Sequence, residues 1–455
     1  MHADLDQLLP SIAGATRTAP AHFTGVSINS QTIEAGNVFV ALRGERFDAH
    51  DFLADVAARG AAAVVVERVP AGFSLPALIV PDTRVALGQI ANFWRRRFAI
   101  PVIGVTGSNG KTTVKEMIAA ILEATYGAGH YLSTRGNLNN DIGVPLTLCR
   151  LEPTHRAAVI EMGMNHPGEI ARLADIAGPT VAVVNNAQRE HQEFMASVAA
   201  VAAENGAVIS ALAADGTAVF PADDAFTPLW QSLAGSRRVL HFALTGVATL
   251  TCSAKPNHFG SDLVIHADGH DFPVTLAAAG VHNVRNALAA AAATLAIGIA
   301  PHTVARGLAS FVPVAGRLQR KSASNGALLI DDTYNANPDS VRAAIDVLAA
   351  ASAPRMLVLG DMGEVGSEGV AFHQEIGSYA RQSHIDQLFT LGSLARHASH
   401  AFGSQALHFD DMDKLNQAIS SHIVPDASIL VKGSRFMKME RVVQHLAGTA
   451  VPGGH

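Results

Sequence analysis

"GVTGSNGKTT" (104–113) lies between a short apolar run, "VIGVT" (102–106), and "KTTVKEMIAAILEAT" (111–125), in which Val114, Met117, Ile118, Ile121 and Leu122 recur at three- and four-residue spacing. The run reads as a buried strand and the longer stretch as a helix with one apolar face. A glycine turn that joins a strand to a helix at a Lys-Thr pair has the context of a phosphate-binding loop. Backbone N–H groups and the helix dipole favour an anion at such a helix start. Gly107 and Gly110 allow backbone angles and close approach that side chains would block. Lys111 can reach β- and γ-phosphates, and the hydroxyl of Thr112 suits Mg²⁺. The stretch departs from the general form G-x-x-x-x-G-K-[ST], because Val105 stands where the first glycine belongs. The competing reading is a glycine turn that only caps the helix, with Lys111 in solvent. Strand, turn, lysine, two threonines and helix all agree on the phosphate reading.

Neighbouring strands extend the argument. Glu161 closes the apolar run "AAVIEM" (157–162), and His191 follows "TVAVVN" (180–185). In an open α/β sheet, ligands bind outside the carboxyl ends of the strands. Lys111 and Glu161 are therefore expected to face one crevice, with Glu161 sharing the Mg²⁺ of a nucleotide. A glutamate in that place can instead cap the next helix, and a lone histidine is as often structural as functional. "RGNLNNDIGVP" (135–145) gathers asparagines and glycines before a proline, which fits oxygen recognition or tight turns equally well.

Farther along, "ALLIDD", "RMLVLGD", "QLFTLG" and "SILVKGS" are apolar strands separated by helix-length segments, which implies a parallel, doubly wound sheet. Asp331 and Asp332 end the first of these, where an aspartate suits ribose hydroxyls. Asn335, Asn337 and Pro338 after them also make a turn. "VKGSR" (431–435) brings Lys432, Ser434 and Arg435 to another strand end, as a small anion-binding pocket or a solvated helix start.

The fold class is α/β with three units. Residues 1–99 hold the strand-like "NVFVAL", "AAVVVE" and "ALIV", a helix ending near Gly60, and a second helix from Thr83 to Phe98. Residues 100–313 hold the glycine loop, the further parallel strands, a hairpin at Asp268-Gly269 and an alanine-rich helix. Residues 314–455 form the third unit. Clefts between such units are the expected functional space.

Composition excludes several function classes. The 455 residues are 49% hydrophobic and 16% charged, as in a soluble globular chain long enough for several cores. With 39 acidic and 33 basic residues the net charge is −6, so a nucleic-acid footprint is not expected. Arg95-Arg96-Arg97, the densest basic run, reads as an exposed helix face. Cys149 and Cys252 lie outside any C-x-x-C pair, which fits a reducing compartment. The start "MHADLDQLLPSIAG" is acidic where a signal peptide is basic, and no apolar stretch is long enough to span a bilayer, so the expected location is cytoplasmic.

Together the motifs resemble the Mur ligase family of ATP-dependent amide ligases, and within it the branch that adds D-alanyl-D-alanine to a UDP-linked tripeptide. "TGSNGKTT" resembles that family's short phosphate loop; "GNLNNDIGVP", "EMGMNHPGEI", "GVHNVRNALAAAA", "DDTYNANPDS", "LGDMGEVG" and "LVKGSRFMKMERVV" look like the branch's signatures. "NVFVALRGERFDAHDF" resembles its UDP-sugar region, and the likeness runs in order along essentially the whole chain.

The resemblance implies an N-terminal UDP-sugar-binding domain, a central ATP-binding domain and a C-terminal Rossmann-like domain that close on their ligands. It implies ATP and Mg²⁺ as cofactors and UDP-MurNAc-tripeptide and D-Ala-D-Ala as substrates; with no obvious apolar interface stretch in the sequence, a monomer is the default expectation. By carry-over, ATP falls to Gly107, Ser108, Asn109, Gly110, Lys111, Thr112 and Thr113, with His282, Asn283 and Asn286 near adenine, Arg317 on the phosphates and Asp332 on the ribose. Thr112, Glu161 and His191 are the implied metal ligands, and Lys111, Glu161 and His191 the catalytic group. Ser30, Asn137, Asn140, Tyr334, Asn335, Asn337, Lys432, Ser434 and Arg435 are the implied substrate contacts. Two positions depart from the pattern. Asn205 stands where many members carry a lysine that is carbamylated in use, with Glu204 and Glu193 as nearby carboxylates, and Asn29 stands where an aspartate is commoner. A different amino-acid ligase of this type and, in another class, a P-loop kinase are the competing functions.

Overall fold

The computed structural model describes residues 1–44, 47–190 and 193–448. Three sheets organise it, with one more two-stranded ribbon at the N-terminus (Ala3–Asp4 with His22–Phe23). The first sheet has five short strands; Val38–Val40, Ala63–Val66 and Ala77–Ile79 pair in parallel at its centre. Its remaining members, Thr16–Arg17 and Val26–Ser27, are two residues each and carry no apolar pattern.

The central sheet has nine strands. Val102–Thr106 runs parallel between Ala157–Glu161 and Val181–Val184, and every residue of the three is buried. Strands buried on both faces read as continuous apolar runs, which is why these were visible in the sequence. Register matters here: Glu161 pairs with Val105 and Val184 with Thr106, so the loops after all three strands leave from one edge. The antiparallel strands Leu250–Asn257, Gly260–Ala267 and His270–Leu276 extend the sheet, and the last two turn at Asp268 and Gly269, both with positive φ. That is the two-residue hairpin turn expected from Asp-Gly.

Helices cover both faces. On one side Lys111–Tyr126 and Val281–Ala296 pack together, and Ala287 through Ala293 are all buried in the second, where small side chains let helix and sheet approach. On the other lie Glu169–Ala177, Val198–Ser210 and, from the N-terminal unit, Thr83–Arg95. The last of these corrects one reading of the basic run. Arg96 and Arg97 are exposed, but Arg95 is buried and donates to the carbonyls of Ala177, Phe98, Ile100 and Gly178. It ties the helix to the central domain. Burial without a carboxylate partner lowers its pKa.

The third sheet has six strands, five of them parallel. Leu328–Asp332 lies beside Ser428–Lys432 in a register that sets Asp332 opposite Lys432. Apolar layers cover both faces, as in a doubly wound sheet. Among the described residues no helix is long and apolar enough to cross a membrane.

Candidate functional site

A cleft of about 850 Å³ opens where the central and C-terminal sheets present their strand ends to each other. The phosphate-type loop forms its floor. Gly107 and Gly110 have φ of 133° and 82°, and a Cβ on Gly110 would stand 2.4 Å from Asn286 Oδ1 and 2.6 Å from Asn185 Nδ2. Both glycines are thus required twice, by dihedral angle and by space. The helix begins at Lys111, and the N–H groups of a first turn have no helical acceptors.

Two expected donors are directed elsewhere. The Ser108 N–H donates to Asn186 O (3.2 Å) and the Asn109 N–H to Asn186 Oδ1 (2.9 Å). The anion cradle is therefore the N–H set from Gly110 through Thr113, narrower than the sequence implied. Lys111 Nζ curls over the loop to Gly107 O (2.5 Å), Ser108 O (2.9 Å) and Glu190 Oε1 (2.8 Å).

Glu161 is the deepest charged group of the cleft. It is buried, and its Oε1 accepts from Thr112 Oγ1 (3.1 Å) and Asn139 Nδ2 (2.9 Å). Its Oε2 is buried with no hydrogen-bond partner among the described residues. An orphaned carboxylate oxygen beside a hydroxyl is costly unless a cation or donor completes it, so this pair fits Mg²⁺. Of the loop residues, Asn139 faces Glu161, whereas Asn140 caps the helix Gly143–Leu148 through the N–H groups of Ile142 and Gly143. Asn137 is exposed and lines the cleft. His191 lies outside the described residues.

From the central helix, Asn283, Asn286 and Asn185 form a chain that ends on Asn109 O. His282 lines the cleft, and burial pushes its pKa below the ordinary histidine value while Asp332 pulls the other way. Beside it Arg285 makes two bonds, of 2.8 and 2.9 Å, to Asp223 at the rim.

The C-terminal domain reaches across. Arg317 Nη2 donates to Thr112 Oγ1 (2.9 Å), with its guanidinium 4.1 Å over the ring of Tyr334. Asn337 caps the helix Pro338–Ala349 and exchanges amide bonds with Asn109 (2.9 and 3.3 Å). Asp332 and Lys432 both line the cleft, but they bind each other: Nζ to Oδ2 is 2.5 Å, and Nζ also donates to Asn335 O at 2.9 Å. The basic pocket read from "VKGSR" is corrected accordingly. Lys432 is 3% exposed and neutralised by Asp332, Ser434 Oγ is buried between Ala336 O and the Gly363 N–H, and Arg435 is exposed near Glu440. Tyr334 and Asn335 line the cleft.

Ser30 is half-buried in the first domain, away from the cleft's lining, and Asn29 Oδ1 accepts from the Gln31 N–H in a local turn. Glu45 and Arg46, within the segment read as the UDP-sugar region, lie outside the described residues. Asn205 is fully buried, its Oδ1 taking the Thr106 hydroxyl (2.7 Å) while its Nδ2 has no partner among the described residues. Glu204 caps the helix Glu169–Ala177 through the N–H groups of Gly168 and Ile170, so it is not free to replace a metal-binding carbamate; Glu193 is exposed.

Sequence reasoning missed Asn139, Asn186, Arg189 and Glu190 on the central side, and Asp339 and Glu375 opposite them. Asn139 and Asp339 lay inside stretches already singled out, "RGNLNNDIGVP" and "DDTYNANPDS", and Asn186 directly follows "TVAVVN"; Arg189, Glu190 and Glu375 carried no such signal.

Residues 22–95 match the model of the Mur ligase family catalytic domain, 105–294 the Mur ligase middle domain, and 316–435 the Mur ligase glutamate ligase domain. The chain is 41% identical to the UDP-N-acetylmuramoyl-tripeptide--D-alanyl-D-alanine ligase of Escherichia coli strain K12, covering 97% of this chain and 98% of that one. It superimposes on crystal structure I of MurF from Acinetobacter baumannii with a TM-score of 0.92, at 33% identity and 99% coverage of both chains. It also matches MurF ligase from Thermotoga maritima in complex with ADP, with a TM-score of 0.84 at 27% identity, over 93% of this chain and 97% of that one.

Proposed function

The chain belongs to the Mur ligase family, and on that premise we propose that it is the ATP-dependent ligase that joins D-alanyl-D-alanine to UDP-MurNAc-tripeptide. The observation that carries this reading is the junction of Lys111, Thr112 and Glu161 from the central domain with Arg317 and Asp332 from the C-terminal domain, around one cleft. The full-length relatives named above are ligases of this specificity, and one was solved with ADP.

The chemistry follows from the donors present. A carboxylate oxygen of the tripeptide attacks the γ-phosphorus of ATP; the bond to ADP breaks and an acyl phosphate forms. The amine of D-Ala-D-Ala adds to that carbonyl, loses a proton, and phosphate leaves as the amide forms. Such transfers depend chiefly on positioning and on stabilising charge. The Gly110–Thr113 N–H groups receive phosphate oxygens, Lys111 exchanges Glu190 for a phosphate, and Arg317 adds a second cation from the opposite side. Thr112 and Glu161 hold Mg²⁺, which when bound neutralises phosphate charge. In this reading His191 would hold a second ion without a carbamate beside it, because the Asn205 amide has no amine to carbamylate and its oxygen is engaged by the Thr106 hydroxyl. His282, Asn283 and Asn286 receive adenine and Asp332 the ribose, with Lys432 holding Asp332 in place. Ser30, Asn137, Asn140, Tyr334, Asn335 and Asn337 serve the other substrates, and residues 1–99, 100–313 and 314–455 are the three domains. The protein acts in the cytoplasm as a monomer.

The acceptor decides between this and related ligases. Purified protein given UDP-MurNAc-tripeptide, ATP and Mg²⁺ is expected to consume D-Ala-D-Ala and to leave L-alanine, D-glutamate and lysine untouched. Activity with a single amino acid alone would overturn the assignment.

A further inference from the structure

The loop after the strand Val181–Val184 touches both domains through consecutive residues. Toward the phosphate loop, the Gln188 N–H donates to Ser108 Oγ (2.9 Å), Gln188 Oε1 accepts from Asn109 Nδ2 (2.6 Å), and Glu190 accepts from Lys111. Toward the C-terminal domain, the Arg189 guanidinium forks onto two carboxylates. Nη2 and Nε donate to Asp339 at 2.6 and 3.1 Å, and Nη1 and Nη2 donate to Glu375 at 2.7 and 3.1 Å. The Arg189 backbone N–H adds a bond to Asp339 Oδ2 (2.9 Å), and the guanidinium lies 5.3 Å from the Phe372 ring.

Asp339 opens the helix Pro338–Ala349 and Glu375 lies in Gly369–Gln382, so one arginine grips two C-terminal helices. Side-chain exposures of 25%, 23% and 31% for Arg189, Asp339 and Glu375 make this a partly desolvated cluster rather than a surface pair. Consistently, Arg189 holds the Glu375 carboxyl below the usual carboxylate range.

We propose that Arg189 is a positioning residue for the ligation, the clasp that docks the C-terminal domain onto the phosphate loop. The proposal rests on the ATP-dependent reading above. Arg317 and Asp332 meet the nucleotide only in the docked arrangement, so the apparent efficiency scales with the docked fraction. Because Arg189 and Glu190 are adjacent, the grip on the C-terminal domain and the placing of Lys111 share one stretch of backbone. Lysine cannot replace the clasp fully, since a point charge does not serve two carboxylates as a planar fork does.

The test uses the full chain with Arg189→Met and Arg189→Lys. Methionine leaves the C-terminal helices intact: Arg342 still holds Glu375 (3.0 Å), and Asp339 stays in a helix first turn, where the dipole favours it. For Arg189→Met we expect kcat/KM for ATP to fall roughly 10- to 100-fold, with an unchanged melting temperature and a Kd for UDP-MurNAc-tripeptide within about twofold. Arg189→Lys should fall between. Added salt should reduce wild-type efficiency more steeply than that of the methionine variant. With a non-hydrolysable ATP analogue and tripeptide, small-angle scattering should report a larger radius of gyration for Arg189→Met than for wild type. Wild-type-like efficiency and radius in Arg189→Met would overturn the clasp, as would a loss that only tracks a lower melting temperature. A wild-type protein that formed no product would count against the ligase reading, and the scattering comparison would still decide the clasp.

Discussion

Two lysines stand at strand ends on opposite walls of the cleft, and they are built for different tasks. Lys111 follows the strand Val102–Thr106 after a glycine turn and sits at a helix start, its side chain 13% exposed and held by loop carbonyls and Glu190. Lys432 ends its own strand, 3% exposed, in a register that puts it opposite Asp332. The first can trade its partners for phosphate, because carbonyls and a carboxylate at the cleft floor are displaceable contacts. The second is already neutralised. Lys432 therefore holds Asp332 and is not an open anion site, because that carboxylate shares its register on the next strand.

Lys111→Ala should lower turnover by about a thousandfold, the scale set by removing a preorganised donor from developing charge, while the melting temperature stays near that of wild type. Near-normal turnover in an ATP-coupled assay would remove the loop from the mechanism. At Lys432 the larger effect should be on folding. Lys432→Ala leaves Asp332 uncompensated and should cost about 3–5 kcal/mol in urea unfolding, much of which Lys432→Met with Asp332→Asn restores. Unchanged stability with a raised KM for D-Ala-D-Ala would make Lys432 an anion-binding group after all.

A smaller effect concerns a buried base that must stay neutral. His373 Nε2 accepts the Met362 N–H (3.0 Å) while Nδ1 faces Gly369 O (2.6 Å), and burial lowers its pKa. Protonation would set one N–H against another. With the folded pKa below the unfolded value of about 6.5, the unfolded chain binds the extra proton first, so this stability is complete above about pH 6.5 and is lost as pH falls through the folded pKa. Thermal melts should decline below that pH by at most about 1.4 kcal/mol per unit from this group, with a shallower decline in His373→Asn. Equal slopes for wild type and variant would refute it.

The sequence disclosed the parallel strands because they are buried on both faces, and the loop because glycine, lysine and threonine occur in one contiguous stretch. It could not disclose the two-residue strands Thr16–Arg17 and Val26–Ser27, which have no room for periodicity. Nor could it tell which asparagine of "GNLNN" faces Glu161, since Asn137, Asn139 and Asn140 share a loop and only the backbone path separates their tasks. Arg189, Asp339 and Glu375 were hidden for another reason: their partners lie 150 and 186 residues away, and an ion pair across domains leaves no local pattern. Lys432 was misread because strand register, unlike strand identity, is not written in one segment.

The central claim is that ATP cleavage serves amide formation, and phosphate release tests it most directly. The protein should release phosphate in step with product when UDP-MurNAc-tripeptide, D-Ala-D-Ala, ATP and Mg²⁺ are all supplied, and sustained release should cease when either the tripeptide or D-Ala-D-Ala is omitted. Steady release without the amine, or a stable phosphorylated product, would contradict it.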